Sequence, residues 1–433
     1  MVEAENKIQR YEKYIESGVE WLGEIPEHWE LTRLGTRFKE RKTKVSDKDF
    51  PPLSVTKNGT VPQLANAAKS NDGDNRKLVK KGDFAINSRS DRKGSSGIAY
   101  QDGSVSLIYI VMEPLNIHPI YCNYLLKSYN FIEEFYRMGH GIVADLWTTR
   151  YDEMKAIMVG IPPLPEQTKI AQFLDDKTTK IEDAIAIKEQ QINLLKERKQ
   201  ILIHKAVTSG LDDSVTLKDS GVEWIGEIPE HWEVVPLRHI GNTQNGLSKG
   251  GEYFGTGFPF LTYGDVYKNR TVPNILSGLA EATIDDRKQF SIQEGDVFFT
   301  RTSETVDDIA FASTCLETIE NGTFAGFLIR FRPEKNILYK GYSRYYFSSS
   351  THRPFFVGQM NLVIRASLSQ DHLKRMPVLI PPLSEQKEIS AYIETASQKI
   401  ETAIGLKQQE IDKLKEYKSS LINEVVTGKV RVW

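Results

Sequence analysis

Cysteine is scarce in this sequence, with Cys122 and Cys315 the only two among 433 residues. They lie far apart and match no spacing typical of a metal site, so we expect no bound metal and a reducing cytoplasm. Long apolar runs are absent too, and the charged first residues MVEAENKIQR do not form a signal peptide. These absences favour a soluble globular protein of two or three domains.

An excess of charge of either sign is also missing, since the formal net charge is −2. The distribution is nevertheless uneven. Residues 1–34 and 212–237 are acidic, whereas residues 35–160 carry five more Lys and Arg than Asp and Glu, and residues 238–379 carry two more. Positive charge is thus concentrated in two long stretches, which favours an anionic partner there, although a solvated surface produces similar imbalances.

Motifs for catalysis are lacking as well. An amino-methyltransferase needs an Asn/Asp-Pro-Pro-aromatic motif, and every Pro-Pro here precedes Leu. The run FGTG at 254–257 mimics a cofactor loop but is followed by Phe-Pro, which opens no helix. Asp-Arg-Lys at 91–93 and 286–288 lacks the Pro-Asp of a metal-dependent nuclease, and no GxxxxGK motor loop occurs. We therefore expect no catalytic residues.

The most informative feature that is present is a long repeat. Residues 161–211 return at 380–430 with 23 of 51 positions identical, and both copies begin with IPPL, then Pro or Ser, then Glu-Gln. Pro-Pro cannot continue a helix, and the residues that follow it give helix-start signals. Because only Gly405 interrupts the rest, each copy is predicted to form one helix roughly 60 Å long.

Both predicted helices carry a seven-residue apolar repeat that one helix cannot bury alone. We expect the two copies to pair as an antiparallel coiled coil, although two amphipathic helices packed on separate domains stay an alternative. Lys188 matches Lys407 and Lys199 matches Lys418, so these interruptions are expected to set the register. The predicted pairing residues are Leu174, Ile181, Ile185, Ile192, Leu195, Leu202, Ile393, Ile400, Ile404, Ile411, Leu414 and Leu421.

A second repeat lies in front of each variable stretch. Residues 17–34 return at 220–237 with 14 of 18 positions identical, and both copies contain GEIPEHWE. The imidazole and carboxylate of EHW could suggest a binding surface or acid–base chemistry, but no nucleophile accompanies them. Gly, Pro and Trp at these spacings favour a tight turn pinned by indole packing.

The chain is therefore two copies of one unit: acidic arm, variable domain, long helix. In both variable domains Gly-Asp precedes an apolar run typical of a strand, KGDFAINSRS and EGDVFFTRTS. The predicted class is α+β, with two mixed α/β domains held apart by an antiparallel coiled coil of the two long repeated helices in a pseudo-two-fold arrangement. The predicted boundaries are 1–34 and 212–237 for the arms, 35–160 and 238–379 for the variable domains, and 161–211 and 380–433 for the helices.

This order of motifs resembles the DNA-specificity subunit of type I restriction-modification enzymes. Both arms, both IPPL[PS]EQ helices and the stretches FPFLTYGDVY and EGDVFFTRTS carry the resemblance, which covers essentially the whole chain. It implies two target-recognition domains that each read half of a split DNA site. It also implies a non-catalytic chain that works in the prokaryotic cytoplasm with two methyltransferase subunits and, through them, two motor-nuclease restriction subunits. S-adenosylmethionine, ATP and magnesium then belong to those partners.

The expected geometry agrees with this resemblance. Two domains at the ends of a rod should read two half-sites separated by unread base pairs. Because the domains differ in sequence, the DNA site should be asymmetric. The approximate two-fold presents each half-site on the opposite strand, so one methylated adenine per strand is expected.

Candidate DNA-contacting residues are cations, amides, hydroxyls and aromatics near predicted loop tips, because cations contact phosphates and polar side chains read base edges. The segments at 88–97 and 300–303 are favoured because they occupy equivalent positions of the two copies, and a solvated surface is the alternative for each residue. In the first domain the candidates are Lys57, Asn58, Arg76, Lys77, Ser88, Arg89, Arg92, Lys93 and His140. In the second domain they are Tyr263, Lys268, Asn269, Arg270, Thr300, Arg301, Ser303, Gln359 and Asn361.

Other functions stay open at this point. The chain could serve a methylase, or a system that fuses modification and cleavage, without a separate motor. A self-contained DNA-modifying enzyme is the rival from another class. A purely structural spacer leaves the two large divergent domains unexplained.

Overall fold

The chain forms two units, and unit 1 takes residues from both ends of the sequence. Met1–Glu189 and Gln408–Trp433 belong to unit 1, and Gln190–Lys407 to unit 2. The computed structural model describes residues 9–65, 73–141, 147–303, 309–358 and 366–433. Within these ranges no helix is long and apolar enough to cross a membrane. No group of His, Cys, Asp or Glu in the same ranges is arranged to hold a metal ion.

Short strands and small helices make up most of unit 1. Its strands are β1 (Tyr14–Glu16), β2 (Glu24–Pro26), β3 (Glu30–Arg33), β4 (Phe38–Glu40), β5 (Lys44–Val45), β6 (Leu53–Thr56), β7 (Gly59–Pro62), β8 (Arg76–Val79), β9 (Phe84–Asn87), β10 (Ser96–Ile98), β11 (Gly103–Val105), β12 (Tyr109–Pro114) and β13 (Met158–Ile161). Its helices are α1 (Pro119–Lys127), α2 (Tyr129–Arg137), α3 (Tyr151–Met154) and the first part of α4 (Leu164–Ser209).

Unit 2 has a similar mixture of elements. Its strands are β14 (Leu217–Asp219), β15 (Glu227–Pro229), β16 (Glu233–Pro236), β17 (Gly241–Asn245), β18 (Phe254–Leu261), β19 (Gly278–Ala280), β20 (Val297–Thr300), β21 (Thr302–Ser303), β22 (Ala312–Thr314), β23 (Thr323–Phe324), β24 (Leu328–Pro333), β25 (Ala366–Ser367) and β26 (Pro377–Ile380). Its helices are α5 (Tyr263–Lys268), α6 (Ile284–Gln289), α7 (Lys340–Phe347), α8 (Arg353–Gly358), α9 (Gln370–Lys374) and most of α10 (Leu383–Val426).

The same four-stranded antiparallel sheet occurs in both units. Its strand order is β4-β12-β9-β10 in unit 1 and β17-β24-β20-β22 in unit 2. All four residues of the central strands β9 and β20 are buried. Each of these strands follows a Gly-Asp turn whose carboxylate binds an arginine: Asp83 with Arg41 and Asp296 with Arg332, both at 2.6 Å. One scaffold therefore underlies both variable domains.

The second sheets differ between the units. Unit 1 has the antiparallel order β11-β8-β5 and a separate β6–β7 hairpin. Unit 2 has the order β19-β18-β23, in which β18 and β23 run parallel. The sequence divergence between the two variable domains thus corresponds to a different arrangement beside a common sheet.

The long helices supply part of the core of each unit. In unit 1, Leu174 and Ile181 of α4 share a cluster with Leu421 of α10. In unit 2, Ile203 of α4 shares a cluster with Ile393 of α10. The start of one helix therefore meets the end of the other inside each unit, as in an antiparallel pair. Each of the twelve predicted pairing residues is buried or half-buried.

Lysines interrupt the apolar repeat and form ion pairs across the helices. Lys199 reaches Glu401 at 2.5 Å in unit 2, and Lys418 pairs with Glu182 in unit 1. These are the same pair in repeat numbering, since 219 residues separate 199 from 418 and 182 from 401. Lys188 also reaches a glutamate of α10 at 2.5 Å. Such exposed pairs contribute only about 0–1 kcal/mol each to stability. They therefore help to select the register of the two helices and add little to the stability of the coiled coil.

The arm of each unit is fastened to the start of a long helix by one glutamate. Trp29 Nε1 donates to Glu166 at 2.8 Å, and His28 Nε2 lies 2.8 Å from its other oxygen. In unit 2 the corresponding partners lie 3.1 and 2.9 Å from Glu385. The predicted indole packing is therefore accompanied by hydrogen bonds between EHW and the Glu of IPPLxEQ, which explains why the two motifs occur together.

Candidate nucleic-acid interface

Polar residues that follow β9 lie at the end of the central sheet of unit 1. Ser88 is buried, and its carbonyl accepts a hydrogen bond from Thr149 N at 2.9 Å. Arg89 and Arg92 are exposed. The amide of Arg89 is held by the side-chain oxygen of Asn87 at 2.9 Å. Two exposed guanidinium groups are thus attached to a backbone that the sheet fixes.

Thr148 brings this segment together with His140. Its backbone pairs with Arg89 and with His140, and the two bonds to His140 are both 3.0 Å. The His140 side chain is 78% exposed, with Nε2 at 3.8 Å from Glu153. Trp147 anchors the segment by donating from Nε1 to a main-chain carbonyl of α2 at 2.7 Å. Sequence reasoning missed Trp147 and Thr148, and the only signal for them is an aromatic residue followed by two hydroxyls and a cation.

Three other candidates of unit 1 are also exposed. Lys57 and Asn58 form the two-residue turn of the β6–β7 hairpin. Lys93 is exposed but already pairs with Glu133 at 2.6 Å. The hairpin tip is therefore available to a ligand. Lys93 would have to give up its ion pair with Glu133 before it could bind a phosphate.

Arg76 and Lys77 face the interior of unit 1. The buried Arg76 guanidinium donates to the hydroxyl and the carbonyl of Ser104 at 2.8 and 3.1 Å. Lys77 Nζ donates to the carbonyl of Tyr109 at 2.7 Å. Burial lowers the pKa of both side chains. These two cations hold strands together, and we leave them out of the proposed interface.

The segment after β20 occupies the matching place in unit 2. Thr300 is buried, and its hydroxyl accepts from the amide of Phe311 at 2.9 Å. Arg301 is half-buried, and Tyr263 donates its hydroxyl to the carbonyl of Thr302 at 2.8 Å. Ser303 lies in β21, and its backbone pairs with β25. Gln359 and Asn361 lie outside the described residues.

One backbone hydrogen bond aligns the two segments. Leu368 N donates to the carbonyl of Arg301 at 2.8 Å, as Thr149 N does to Ser88, and 219 residues separate the two donors. Arg301 is thus the counterpart of Ser88, while Arg89 is the counterpart of Thr302. The two arginines are therefore one residue out of step, which agrees with Arg89 being exposed and Arg301 half-buried.

A cleft of about 360 Å³ in unit 2 collects three further candidates. Lys268 and Asn269 are exposed, and Arg270 is half-buried with its guanidinium 3.3 Å from the side-chain oxygen of Gln200. Burial lowers the pKa of Arg270. Arg353, which the sequence did not single out, lines the same cleft. Three cationic side chains therefore converge on this surface.

A family model described as the type I restriction modification DNA specificity domain matches the chain twice, at residues 26–197 and 229–415. The chain is 25% identical over 446 residues to the putative type I restriction enzyme MjaX specificity subunit of Methanocaldococcus jannaschii, covering 95% of this chain and 96% of that protein. It is 28% identical over 267 residues to the EcoKI specificity subunit of Escherichia coli, covering 58% and 54% of the two chains.

Solved structures share the fold. A chain from a study of complex assembly and conformational transition in a type I R-M system has a TM-score of 0.68 at 15% identity, with 93% of this chain and 98% of that chain covered. The HsdS subunit of Thermoanaerobacter tengcongensis has a TM-score of 0.54 at 17% identity, with 93% and 98% covered. The predicted α+β class, with two repeated mixed domains and two long helices, is confirmed.

Proposed function

We propose, from the premise that this chain belongs to the type I restriction-modification DNA specificity family, that its two units read the two halves of a split, asymmetric DNA site. Sequence recognition is the function of this family, and its members are not themselves catalytic, because methyl transfer and cleavage belong to partner subunits. The proposed reading domains are residues 35–160 and 238–379, as the sequence predicts.

One observation carries this proposal. The two units share a four-stranded sheet of the same order, and the central strand of each ends at a polar segment of different chemistry. In unit 1 that segment exposes Arg89 and Arg92, and in unit 2 it carries Arg301 among hydroxyl residues. A rigid scaffold with different loops is suited to present different base-reading groups. The two units are therefore expected to read two different half-sites.

The partners and cofactors extend the same proposal. The chain would bind double-stranded DNA together with two methyltransferase subunits, which would carry two restriction subunits. Those partners would supply S-adenosylmethionine, ATP and magnesium in the cytoplasm of a prokaryotic cell. Each methyltransferase would swing one adenine out of the duplex, so we expect one N6-methylated adenine per strand.

Methylation assays with and without the partner test this proposal against a self-contained enzyme. The purified chain alone, incubated with DNA and S-adenosylmethionine, should transfer no methyl group. Addition of the methyltransferase subunit should give N6-methyladenine within one two-part sequence. Turnover by the chain alone, or methylation without sequence preference in the assembled complex, contradicts it. Assembly with a separate motor subunit distinguishes a complete restriction system from a methylase or a fused relative.

Replacing the arginines that follow the central strands should weaken DNA binding, because their contacts with DNA phosphates are lost. We expect Arg89→Ala to lower the affinity of the assembled complex about tenfold at low salt and to reduce the salt-dependence slope by about 0.9, because one phosphate contact is lost. Arg301→Ala should have a smaller effect, since Arg301 is half-buried. A salt titration of binding to the mapped site measures both quantities.

Matched controls come from the opposite end of each sheet. Lys39 in β4 lies opposite Glu113 in the strand register, near the end of β12. Lys335 follows the end of β24, and both lysines are exposed. Lys39→Ala and Lys335→Ala should leave affinity and salt slope unchanged. If the Arg89→Ala complex binds DNA with the same affinity and salt slope as the Lys39→Ala complex, Arg89 is not part of the interface.

A further inference from the structure

An aromatic side chain sits at the corner of a tight turn in unit 2. The turn spans residues 325–328, because Leu328 N donates to the carbonyl of Ala325 at 2.9 Å. Its two central residues are Gly326 and Phe327, and Phe327 is 64% exposed. Turn centres usually hold Gly, Pro, Asn, Asp or Ser, each for a conformational reason that does not apply to Phe. The turn itself therefore does not account for this residue.

Unit 1 has a turn at the same place. Tyr109 N donates to the carbonyl of Ser106 at 3.1 Å, and 219 residues separate this turn from the one in unit 2. Its central residues are Leu107, which is 40% exposed and matches Gly326, and Ile108, which matches Phe327 and is half-buried against the core. A single exposed apolar residue is common on any protein surface. Of these two turns, the one in unit 2 carries an exposed aromatic side chain, and its surroundings decide the role of that side chain.

The unit 2 turn lies against the proposed DNA-contacting segment. Arg301 N donates to the carbonyl of Phe327 at 3.0 Å. On the other side of β20, Thr300 N donates to the carbonyl of Phe311 at 2.9 Å, and Phe311 is 37% exposed. Two partly exposed aromatic residues thus flank the end of the strand whose next residue is the candidate cation Arg301.

The backbone of this turn is fixed. Gly326 N donates to the carbonyl of Leu247 at 2.9 Å, and Leu247 N donates to the carbonyl of Phe324 at 2.7 Å. A Cβ at Gly326 would lie 3.2 Å from the Leu247 carbonyl oxygen and 3.2 Å from the Ser248 Cβ, so the approach is close. The ring of Phe327 is therefore presented from an anchored backbone, so little backbone entropy is lost when it meets a ligand.

We propose that Phe327 is an apolar wedge that stacks on a base step of the half-site read by unit 2. The proposal rests on the proposed function and deepens it. Apolar side chains that enter a base step unstack it and kink the duplex, and stacking on a base gains free energy whatever the sequence. At the matching position of unit 1, Ile108 is half-buried against the core. The two half-sites are therefore distorted unequally, and flexible base steps are preferred where Phe327 enters.

Binding of substituted complexes to the mapped DNA site tests this inference. In the complex assembled with the methyltransferase subunit, Phe327→Ala should lower affinity about tenfold. The salt slope should stay unchanged, because no phosphate contact is lost. With 2-aminopurine placed in turn at each position of the half-site, wild-type complex should raise fluorescence at the adenine that the methyltransferase swings out and at one further base step. Phe327→Ala should abolish the rise at that further step and leave the rise at the swung-out adenine, and Phe327→Trp should restore affinity.

Ile275→Ala is the matched control, since Ile275 is 90% exposed in another loop of unit 2 and its removal should change neither readout. Wild-type affinity and fluorescence in the Phe327→Ala complex overturn the inference. So does a loss of assembly with the methyltransferase subunit at unchanged DNA affinity, which would make the turn a protein-docking point. Failure of the proposed function looks different, because the wild-type complex would then show no preference for a two-part site.

Discussion

Replacing Asp296 by alanine is expected to lower the free energy of unfolding of unit 2 by about 3–5 kcal/mol, because the change leaves the half-buried Arg332 and the buried Arg330 without their counter-ion. Asp296 is fully buried, and both of its oxygens accept from the Arg332 guanidinium at 2.6 Å. Arg330 is close by, and burial, then the charge of Arg332, lower its pKa to about 10. Asp296 is the carboxylate that offsets the repulsion between these two arginines.

The counterpart in unit 1 provides the comparison for this experiment. Asp83 holds Arg41 at 2.6 Å, but Arg41 also lies 3.3 Å from Glu113. Because a second carboxylate stays in place, Asp83→Ala should cost less, about 2 kcal/mol. Urea titration with hydrogen exchange read separately from peptides of each unit measures both effects. Equal losses below 1 kcal/mol in both units contradict the assignment of Asp296 as a buried counter-ion.

The repeated helices could be predicted from sequence because their signal is local and periodic. A seven-residue spacing of apolar residues fixes which face is buried, and Pro-Pro fixes where a helix cannot extend. The matched lysines predicted an antiparallel register, and Lys199 and Lys418 form equivalent ion pairs. The glutamates that receive these pairs were not predicted, because a partner more than 200 residues away leaves no trace in local periodicity.

The candidate interface was harder to predict for a related reason. The burial of β9 and β20 on both faces removes the alternation that would tell inward from outward residues. A cation such as Arg76 is expected at the surface by composition, yet here it is buried with partners in its own sheet. The one-residue offset between Arg89 and Arg301 is visible when KGDFAINSRS and EGDVFFTRTS are aligned on Gly-Asp, and the backbone bonds of Ser88 and Arg301 agree with it. Tertiary hydrogen bonding, which sequence does not display, decides these positions.

Replacing Glu166 by alanine should destabilise unit 1 by about 3 kcal/mol, because three donors lose one acceptor. Tyr11 Oη and Trp29 Nε1 donate to Oε1 at 2.6 and 2.8 Å, and His28 Nε2 lies 2.8 Å from Oε2. Burial, then the hydrogen bond to Glu166, raise the pKa of Tyr11 well above its ordinary value, so the phenol stays a donor. Removal of the carboxylate leaves a buried hydroxyl and a buried indole N–H unpaired.

The equivalent change in unit 2 should cost less, and the difference is the test. Glu385 is half-buried and accepts only from Trp232 Nε1 and His231 Nε2 within the described residues, so we expect about 1–2 kcal/mol for Glu385→Ala. Glu12→Ala removes an exposed carboxylate from unit 1 and should have no effect. Urea titrations of the three variants, with hydrogen exchange of arm peptides, measure the losses. If Glu166→Ala and Glu385→Ala destabilise their units equally, the Tyr11 hydrogen bond adds nothing, and the arm is held in both units by the indole and imidazole alone.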